Sequence, residues 1–288
     1  MITFSDKLKY LSASMYKDFT GWKSLCPYCK SDVTSAHAVD QKYKFTRLVE
    51  CPKCKILVRV PTDNNQESNE FYQEAYSQEY TTDCPSDDVL QKLIAENFIN
   101  SDRDYSRYIN FFKFLGIPDN ARVLDFGCSW GYGLHQFRKA GYSAEGFEVS
   151  LPRGRYGKEK MSLPIHSSIN DLKGKFDVIF SSHVLEHLPD FEEINTLYEN
   201  NLSPQGKFIA VTPNGSNDFK TADYNAFHQL WGKVHPVLLT DQFVRSNFGG
   251  ELVYIDSWNS ATPEFIKEGI TKKPLDKFEL VYVLKAKA

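Results

Sequence analysis

Four of the six cysteines have the spacing of a metal site. Cys26-Pro-Tyr-Cys29 and Cys51-Pro-Lys-Cys54 are two C-x-x-C pairs separated by twenty-one residues. Each pair can present two thiolates from one turn, and the two pairs together complete a tetrahedral all-thiolate site, which zinc favours. Because four cysteine ligands leave no open coordination position, we predict a structural role in a small β-ribbon rather than catalysis. A redox dithiol and a pair of disulfides are the alternatives, which a strand-rich segment in a reducing compartment disfavours.

A glycine-rich turn is the second feature that could do chemistry. The run VLDFGCSWGYG, residues 123–133, places Asp125 two positions before Gly127, and Glu148 ends the segment that follows. An acid at the end of the second strand of an open α/β sheet can accept hydrogen bonds from both hydroxyls of a ribose. The glycine spacing is not the G-x-G-x-x-G of dinucleotide-binding proteins. The alternative is that the glycines only close a tight turn between a strand and a helix.

The hydrophobic pattern predicts the elements that must position these residues. After Asn120, strands alternate with helices, which predicts an α/β domain with a parallel sheet and helices on both faces. Two later strands are joined by a loop too short for a crossover helix, so we expect them to pair antiparallel at one edge. Two amphipathic helices, one after Ser86 and one from Ser101, precede the sheet. The predicted strands are 122–125, 144–147, 164–166, 177–181, 207–212, 252–258 and 278–285, and the predicted helices of the sheet domain are 132–139, 152–160 and 191–200.

The charge distribution divides the chain into three parts. Residues 22–61 carry eight Lys and Arg against three acids, whereas residues 63–104 carry eleven acids against two basic residues. This asymmetry predicts modules with separate cores. The predicted parts are an N-terminal helix and zinc ribbon at 1–61, a linker and helical cover at 62–118, and a cofactor-binding sheet domain at 119–288. The linker contains an aromatic set that is expected to dock a short helix by one face, formed by Phe71, Tyr72, Tyr76 and Tyr80.

The overall composition excludes several classes of protein. Hydrophobic residues make up 41% and charged residues 25% of the 288 residues, which excludes a disordered chain. The net charge of −3 argues against a protein whose whole surface binds nucleic acid. No apolar run is long enough for a membrane span, and the first residues lack the layout of a signal peptide. We therefore expect a cytoplasmic protein with no membrane partner.

Over about its last 170 residues the sequence resembles the class I S-adenosylmethionine-dependent methyltransferases. The matching stretches are 123–133, 146–150, 176–189 and 201–214, in the usual order for that superfamily. Ser129 is a departure, because a glycine is commoner at that position. The resemblance implies a doubly wound, Rossmann-like sheet of seven strands with an antiparallel edge. It also implies S-adenosylmethionine as the cofactor.

The N-terminal part of the chain resembles a smaller group within this superfamily. The four cysteines, followed by Val58-Arg59-Val60-Pro61, look like the zinc-ribbon methyltransferases of bacterial polysaccharide and secondary-metabolite pathways. Sugar C-methyltransferases of that group usually carry a further C-terminal α/β domain, which this sequence does not contain. The resemblance therefore implies O- or N-methylation of a small metabolite or a sugar or polysaccharide precursor, with C-methylation as an alternative. The rivals are an RNA methyltransferase whose basic ribbon grips phosphates and a module that binds the cofactor without catalysis.

The resemblance also implies roles for individual residues. Glu148 is expected to bind the ribose, and His183, directly after the fourth strand, is expected to face the methyl group and the acceptor. His183 and His235 are the candidates for a general base, because imidazole titrates near neutral pH. The alternative for His183 is a packing role. The methionine part of the cofactor is expected to be surrounded by Asp125, Gly127, Ser129 and Gly131, and the adenine to be flanked by Ile169 and Asn170.

Overall fold

The computed structural model describes residues 4–63, 67, 83–248, 250–259 and 264–286, except 266 and 268. The aromatic set of the predicted linker lies outside these residues. The helices are α1 (Phe4–Phe19), α2 (Asp87–Ala95), α3 (Ser106–Phe114), α4 (Tyr132–Lys139), α5 (Leu151–Met161), α6 (Glu192–Asn201), α7 (Asn217–Ala222), α8 (Tyr224–Leu230) and α9 (Asp241–Asn247). The strands are β1 (Ala38–Lys42), β2 (Thr46–Glu50), β3 (Leu57–Val60), β4 (Arg122–Phe126), β5 (Ser143–Phe147), β6 (Ile165–His166), β7 (Phe176–Ser182), β8 (Leu202–Pro213), β9 (Val237–Leu238), β10 (Glu251–Trp258) and β11 (Glu279–Lys285).

A seven-stranded sheet forms the centre of the domain predicted to bind the cofactor. Its order is β10-β11-β8-β7-β4-β5-β6, with β8, β7, β4, β5 and β6 parallel and β11 antiparallel to both of its neighbours. Successive side chains of a strand point to opposite faces. Leu124 and Ile179 therefore lie in one buried cluster, while Val123 and Val178 lie in another on the opposite face. The predicted fold class, a doubly wound α/β sheet of seven strands with an antiparallel edge, is confirmed.

Most predicted elements of this domain end within a few residues of the observed ones. Strand β8 begins at Leu202 rather than at 207, and in the helical cover α3 begins at Ser106 rather than at Ser101. Asp104 accepts the backbone N–H groups of Asn100 at 2.9 Å and Ser106 at 2.8 Å, and this turn keeps residues 100–104 out of the helix. Helices α7, α8 and α9 were not predicted, because each spans only six or seven residues and shows little periodicity.

The helical cover packs on the glycine-rich turn through Tyr105. The ring of Tyr105 fills the space beside the Gly133 α-carbon, so a side chain at 133 would collide with it. The Tyr105 backbone N–H donates to Gln136 Oε1 at 2.8 Å, which fixes the start of α3 against α4. Gly133 is thus required by packing within the protein.

The cysteine-containing segment forms a second sheet with the order β1-β2-β3-β9. Strand β9 belongs to the region assigned from sequence to the sheet domain, and it pairs antiparallel with β3. Cys26, Cys51 and Val58 share one buried cluster with Phe191 and Phe243 of that domain. The prediction of separate cores is therefore wrong. The open edge of β3 offers unpaired backbone groups, which β9 satisfies while the apolar face of the ribbon is buried.

The described residues include nine helices. None of these helices combines the length and the apolar character needed to cross a bilayer.

Candidate active site and cysteine cluster

The glycine-rich turn closes against the end of the neighbouring strand. The backbone N–H groups of Gly127 and Cys128 donate to the Phe147 carbonyl at 2.8 and 3.0 Å. Gly127 and Gly131 have φ values of +82° and +89°, a region that L-residues with a side chain rarely adopt. Ser129 also has a positive φ, +52°, which explains why a glycine suits this position better.

Protein side chains occupy the space that glycine leaves in this turn. A Cβ at Gly127 would collide with Val184, and one at Gly131 would lie 2.6 Å from Leu163 Cδ1. The glycines therefore bring the turn against the loop after β7 and against the residues before β6. Packing within the protein is thus one reason for these glycines.

Glu148 and Asp125 lie at the carboxyl ends of adjacent strands. Glu148 Oε2 accepts the Ser129 backbone N–H at 2.9 Å, and Oε1 accepts the Ser150 N–H at 2.7 Å. Each carboxylate oxygen can accept a further hydrogen bond, so both remain able to accept from ribose hydroxyls. Burial raises the pKa of Glu148, although the two N–H donors and Arg153 oppose the shift.

Asp125 is buried, and its Oδ2 accepts no hydrogen bond within the described part of the chain. Burial, and then the nearby charge of Glu148, raise the pKa of Asp125 to about 8. A buried carboxyl oxygen without a partner is costly. A cationic group of a ligand would remove that cost, which fits the amine of S-adenosylmethionine.

The two residues expected to flank the adenine follow β6. Ile169 and Asn170 lie in a short 3₁₀ helix, Ile169–Asp171, at the same edge of the sheet as Glu148. Ile169 is partly buried against the apolar cluster of Leu124, whereas Asn170 is exposed. The structure thus places all seven predicted cofactor residues along the carboxyl edge of β4, β5 and β6.

His183 follows β7 in a left-handed conformation, with φ +54°, which is uncommon for a residue with a side chain. Its backbone N–H donates to the Val211 carbonyl at 2.8 Å. Its Nε2 lies 2.8 Å from Glu279 Oε1, and its Nδ1 lies 3.4 Å from Glu186 Oε1. Burial lowers the pKa of His183, but the two carboxylates outweigh burial and raise it to about 9. In this arrangement His183 is protonated at neutral pH, so proton acceptance there requires the acceptor to displace a carboxylate.

A buried polar network holds Glu279, which the sequence analysis did not single out. Arg107 donates to both oxygens of Glu279, at 2.6 and 2.7 Å, and to the Tyr108 hydroxyl at 2.6 Å. The Tyr108 hydroxyl lies 2.8 Å from Ser182 Oγ, so the network ends beside His183. Arg107 lies in α3 and Glu279 in β11, far apart in the sequence, and no local pattern signals their pairing.

His235, the second candidate base, lies on the other side of Glu186. Its Nδ1 donates to the Leu230 carbonyl at 2.6 Å, and its ring centroid is 4.7 Å from that of His187. The structure therefore brings His183 and His235 to a common acid, Glu186, which the sequence analysis also missed. The Glu186-His187 dipeptide after β7 was the available signal.

The four cysteine thiols come together as the spacing predicts. Their sulfur atoms lie within 4.8 Å of one another, with Cys26–Cys54 and Cys29–Cys51 each at 3.5 Å. A tetrahedral zinc site with bonds of about 2.3 Å requires sulfur separations of about 3.8 Å, so the cluster has the right size. None of the described cysteines forms a disulfide.

The two knuckles have the same backbone geometry. Lys30 and Lys55, which each follow a C-x-x-C pair, have positive φ values of 59° and 67°. Their N–H groups donate to the carbonyls of Cys26 and Cys51, both at 3.0 Å. The matching turns are typical of a pair of metal-binding knuckles.

Comparison with known protein families gives one match that covers half of the chain. The family described as "Methyltransferase domain" matches residues 99–242 of the 288. The chain belongs to this methyltransferase family. Together with the fold and the residues at the sheet edge, the match makes it a S-adenosylmethionine-dependent methyltransferase. No curated protein matches the methyltransferase in sequence.

Several solved structures are similar to the methyltransferase at low sequence identity. A geranyl diphosphate C-methyltransferase from Streptomyces coelicolor is 13% identical, with a TM-score of 0.50 over 79% of this chain and 100% of that chain. A magnesium protoporphyrin IX methyltransferase from Synechocystis is 14% identical, with a TM-score of 0.47 over 76% and 95%. A SAM-dependent methyltransferase from Archaeoglobus fulgidus is 17% identical, with a TM-score of 0.47 over 67% and 99%.

Proposed function

We propose that this methyltransferase transfers the methyl group of S-adenosylmethionine to an oxygen or nitrogen of a small metabolite or a sugar or polysaccharide precursor. C-methylation and RNA methylation are the competing candidates. The observation that carries the proposal is that part of the ribbon's positive charge is used inside the protein, since Arg59 is fully buried and Lys42 lies on Trp231. Lys23, Lys30, Lys44 and Lys53 remain exposed. Resemblance to the polysaccharide and secondary-metabolite enzymes supports the carbohydrate class.

The charges of the ribbon are partly used inside the protein. Arg59 is fully buried and donates to Asp63 Oδ2 at 2.6 Å. Lys42 lies over the Trp231 ring, 4.7 Å from its centroid, and donates to the Trp231 carbonyl. Asp40 accepts a hydrogen bond from Trp231 Nε1 at 2.7 Å, so a negative charge lies on the same side of the ribbon as Lys42. A surface that binds RNA needs its cations free to meet phosphates.

The cofactor supplies the reactive centre, a sulfonium whose positive charge disappears during an in-line displacement. The protein contributes alignment and exclusion of water. Asp125 and its neighbours Gly127, Ser129 and Gly131 would hold the methionine end, and Glu148 would hold the ribose. Ile169 and Asn170 would flank the adenine.

His183 would face the acceptor at the carboxyl edge of the sheet. As an imidazolium it would donate a hydrogen bond to the acceptor, and it would accept a proton only after losing a carboxylate partner. His235 is the second candidate to contact the acceptor, and only its Nε2 could do so, because its Nδ1 donates to the Leu230 carbonyl.

RNA binding measured at several salt concentrations tests the substrate class. We expect weak binding of bulk RNA at physiological salt and methyl transfer from labelled cofactor to small carbohydrate or metabolite acceptors. Submicromolar RNA binding that weakens steeply with salt, together with transfer of the labelled methyl group to RNA, would contradict this proposal and support an RNA methyltransferase.

We also propose zinc as the ion held by Cys26, Cys29, Cys51 and Cys54. The support is the spacing, the sulfur separations and the two matching knuckles. Elemental analysis of freshly purified protein should find about one zinc bound by these thiolates per chain. Protein without metal, or a Cys26–Cys29 disulfide, would contradict this assignment.

A further inference from the structure

We propose that Glu186, His187 and His235 form a second metal site, which binds a divalent first-row transition cation. One ligand atom from each side chain lies within 4.8 Å of the other two. Two imidazoles and one carboxylate are a ligand set for zinc, iron or manganese, and they leave coordination positions open. This site differs in kind from the all-cysteine cluster, whose four thiolates would complete the coordination of an ion.

The hydrogen bonds of the two histidines fix the nitrogen that each can offer. His187 Nδ1 lies 2.8 Å from the Val234 carbonyl, and His235 Nδ1 lies 2.6 Å from the Leu230 carbonyl. A carbonyl only accepts, so in both neutral rings Nδ1 carries the proton and Nε2 presents its lone pair. Metal-binding histidines are commonly oriented by such a hydrogen bond from the other ring nitrogen. His187 Nε2 lies 3.9 Å from Glu186 Oε1.

Glu186 gives an independent indication of a cation. Its side chain is fully buried, and neither carboxylate oxygen accepts a hydrogen bond within the described residues. The nearest charge is His183 Nδ1, which stands 3.4 Å from Oε1. His183 also keeps its 2.8 Å contact with Glu279, so a cation could take its place at Glu186 without leaving the His183 ring unpaired. A buried carboxylate with unused oxygens is costly unless an ion or another donor satisfies it.

The surrounding elements hold the three ligands in place. Glu186 and His187 lie in the 3₁₀ helix Leu185–His187, which packs against β9. His235 precedes β9, and its carbonyl accepts the Gly232 N–H at 3.0 Å. The next residue, Pro236, accepts the Arg59 N–H of the ribbon at 2.8 Å. The ribbon thus positions one ligand of the site. Bonds of about 2.0–2.2 Å require ligand separations near about 3.4 Å, so binding would draw the side chains together by roughly 1 Å.

Titration of the purified protein with Co²⁺ tests the site without any assay of methyl transfer. We expect one Co²⁺ per chain beyond the metal already held by the cysteines. Its visible bands should lack the thiolate charge-transfer absorption of a cysteine site, because nitrogen and oxygen are the ligands. Glu186→Gln and His235→Gln should each weaken this Co²⁺ binding at least about tenfold, as loss of a metal-orienting or metal-binding group does.

His37→Gln is the matched control, because His37 is an exposed histidine outside the cluster. It should bind Co²⁺ as the wild type does. The proposal fails if the wild type takes up no Co²⁺ beyond the cysteines, if both cluster variants bind normally, or if His37→Gln loses the same binding. Circular dichroism establishes that each variant is folded. If Glu186→Gln does not fold, Co²⁺ binding by His235→Gln tests the proposal. This variant should fold, because the His235 side chain is only partly buried.

Discussion

Val58 of the ribbon and Val237 of the methyltransferase domain are partners in adjacent antiparallel strands. Their pairing makes β9 the fourth strand of the ribbon and joins the two parts in one buried cluster. Further contacts strengthen the junction, since Thr240 Oγ1 donates to the Lys55 carbonyl and Asn247 Nδ2 to the Cys54 carbonyl, both at 2.9 Å. The cysteine cluster is thus packed against the methyltransferase domain.

This junction predicts that loss of the cysteine site affects the whole protein. Cys51→Ser removes one thiolate of the cluster and loosens a core that the ribbon shares with Phe243. We expect one cooperative unfolding transition at a clearly lower temperature, followed by circular dichroism and tryptophan fluorescence. Cys84→Ser, at an exposed cysteine, is the control and should melt as the wild type. Two separate transitions, with the second unchanged, would show independent modules.

The same junction contains a buried ion pair that should dominate the stability of the N-terminal part. Arg59 has a fully buried side chain, and its guanidinium lies 2.6 Å from Asp63. Removing one partner of a buried pair leaves an uncompensated charge and typically costs about 3–5 kcal/mol. We expect Asp63→Ala to lower the free energy of unfolding at pH 7 by about 3 kcal/mol. Asp276→Ala, which breaks an exposed pair with Lys277, should cost less than about 1 kcal/mol.

Urea unfolding at several pH values tests the charge of Asp63 directly. Burial raises the pKa of Asp63, but Arg59, Lys233 and Lys17 outweigh burial and hold the pKa below its ordinary value. The ion pair therefore contributes its full stability above about pH 4, the ordinary range of an Asp, and loses it as the pH falls further. Asp63→Asn should remove this part of the acid sensitivity. A variant as acid-sensitive as the wild type would contradict the assignment.

The sequence was informative where structure depends on local pattern. The sequence predicts a helix at 132–139, and α4 spans Tyr132–Lys139. This helix can be predicted because a single turn marks its start and a single apolar stripe defines its buried face. The pairing of β9 with β3 could not be predicted, since a two-residue strand has no pattern of its own. Glu279 reaches His183 only because β11 inserts antiparallel beside β8. A charged residue at the start of an apolar strand does not reveal such a partner.

Glu148 should contribute to affinity for both the cofactor and its product. Glu148→Ala removes the acceptor for two ribose hydroxyls, and hydrogen bonds to a charged group are worth about 1.5–3 kcal/mol. We expect the dissociation constants of S-adenosylmethionine and S-adenosylhomocysteine, measured by calorimetry, to rise about ten- to a hundredfold. Glu145→Gln, within β5 and paired with Arg122 at 2.6 Å, is the matched control and should bind normally. Tight binding of NAD instead of either ligand would overturn the cofactor assignment.

Asp125 should release a proton when the cofactor binds. With a pKa of about 8 in the ligand-free protein, it is about nine-tenths protonated at pH 7. The cationic amine of the cofactor favours the ionised carboxylate, so binding at pH 7 should release up to about one proton per chain. Calorimetry in two buffers of different ionisation enthalpy measures this release as a difference in apparent heat. Asp125→Asn should abolish the difference, and equal heats for the wild type would show that Asp125 does not ionise on binding.

The role of His183 can be separated from its structural contacts by comparing two substitutions. Loss of a group that assists proton transfer at the acceptor typically lowers turnover by about 10²–10⁴-fold. We expect His183→Ala and His183→Gln both to show such a loss with an identified acceptor, while cofactor affinity changes little, because that affinity depends on Asp125 and Glu148. Both variants also remove an ion-pair partner of Glu279 and Glu186, so a lower melting temperature accompanies either role. Glu279→Gln isolates that structural part, since it removes the 2.8 Å carboxylate partner and keeps the imidazole at the sheet edge. If turnover in His183→Ala and His183→Gln stays near that of the wild type while the melting temperature falls, His183 serves to neutralise the two carboxylates, and alignment alone or His235 carries the reaction.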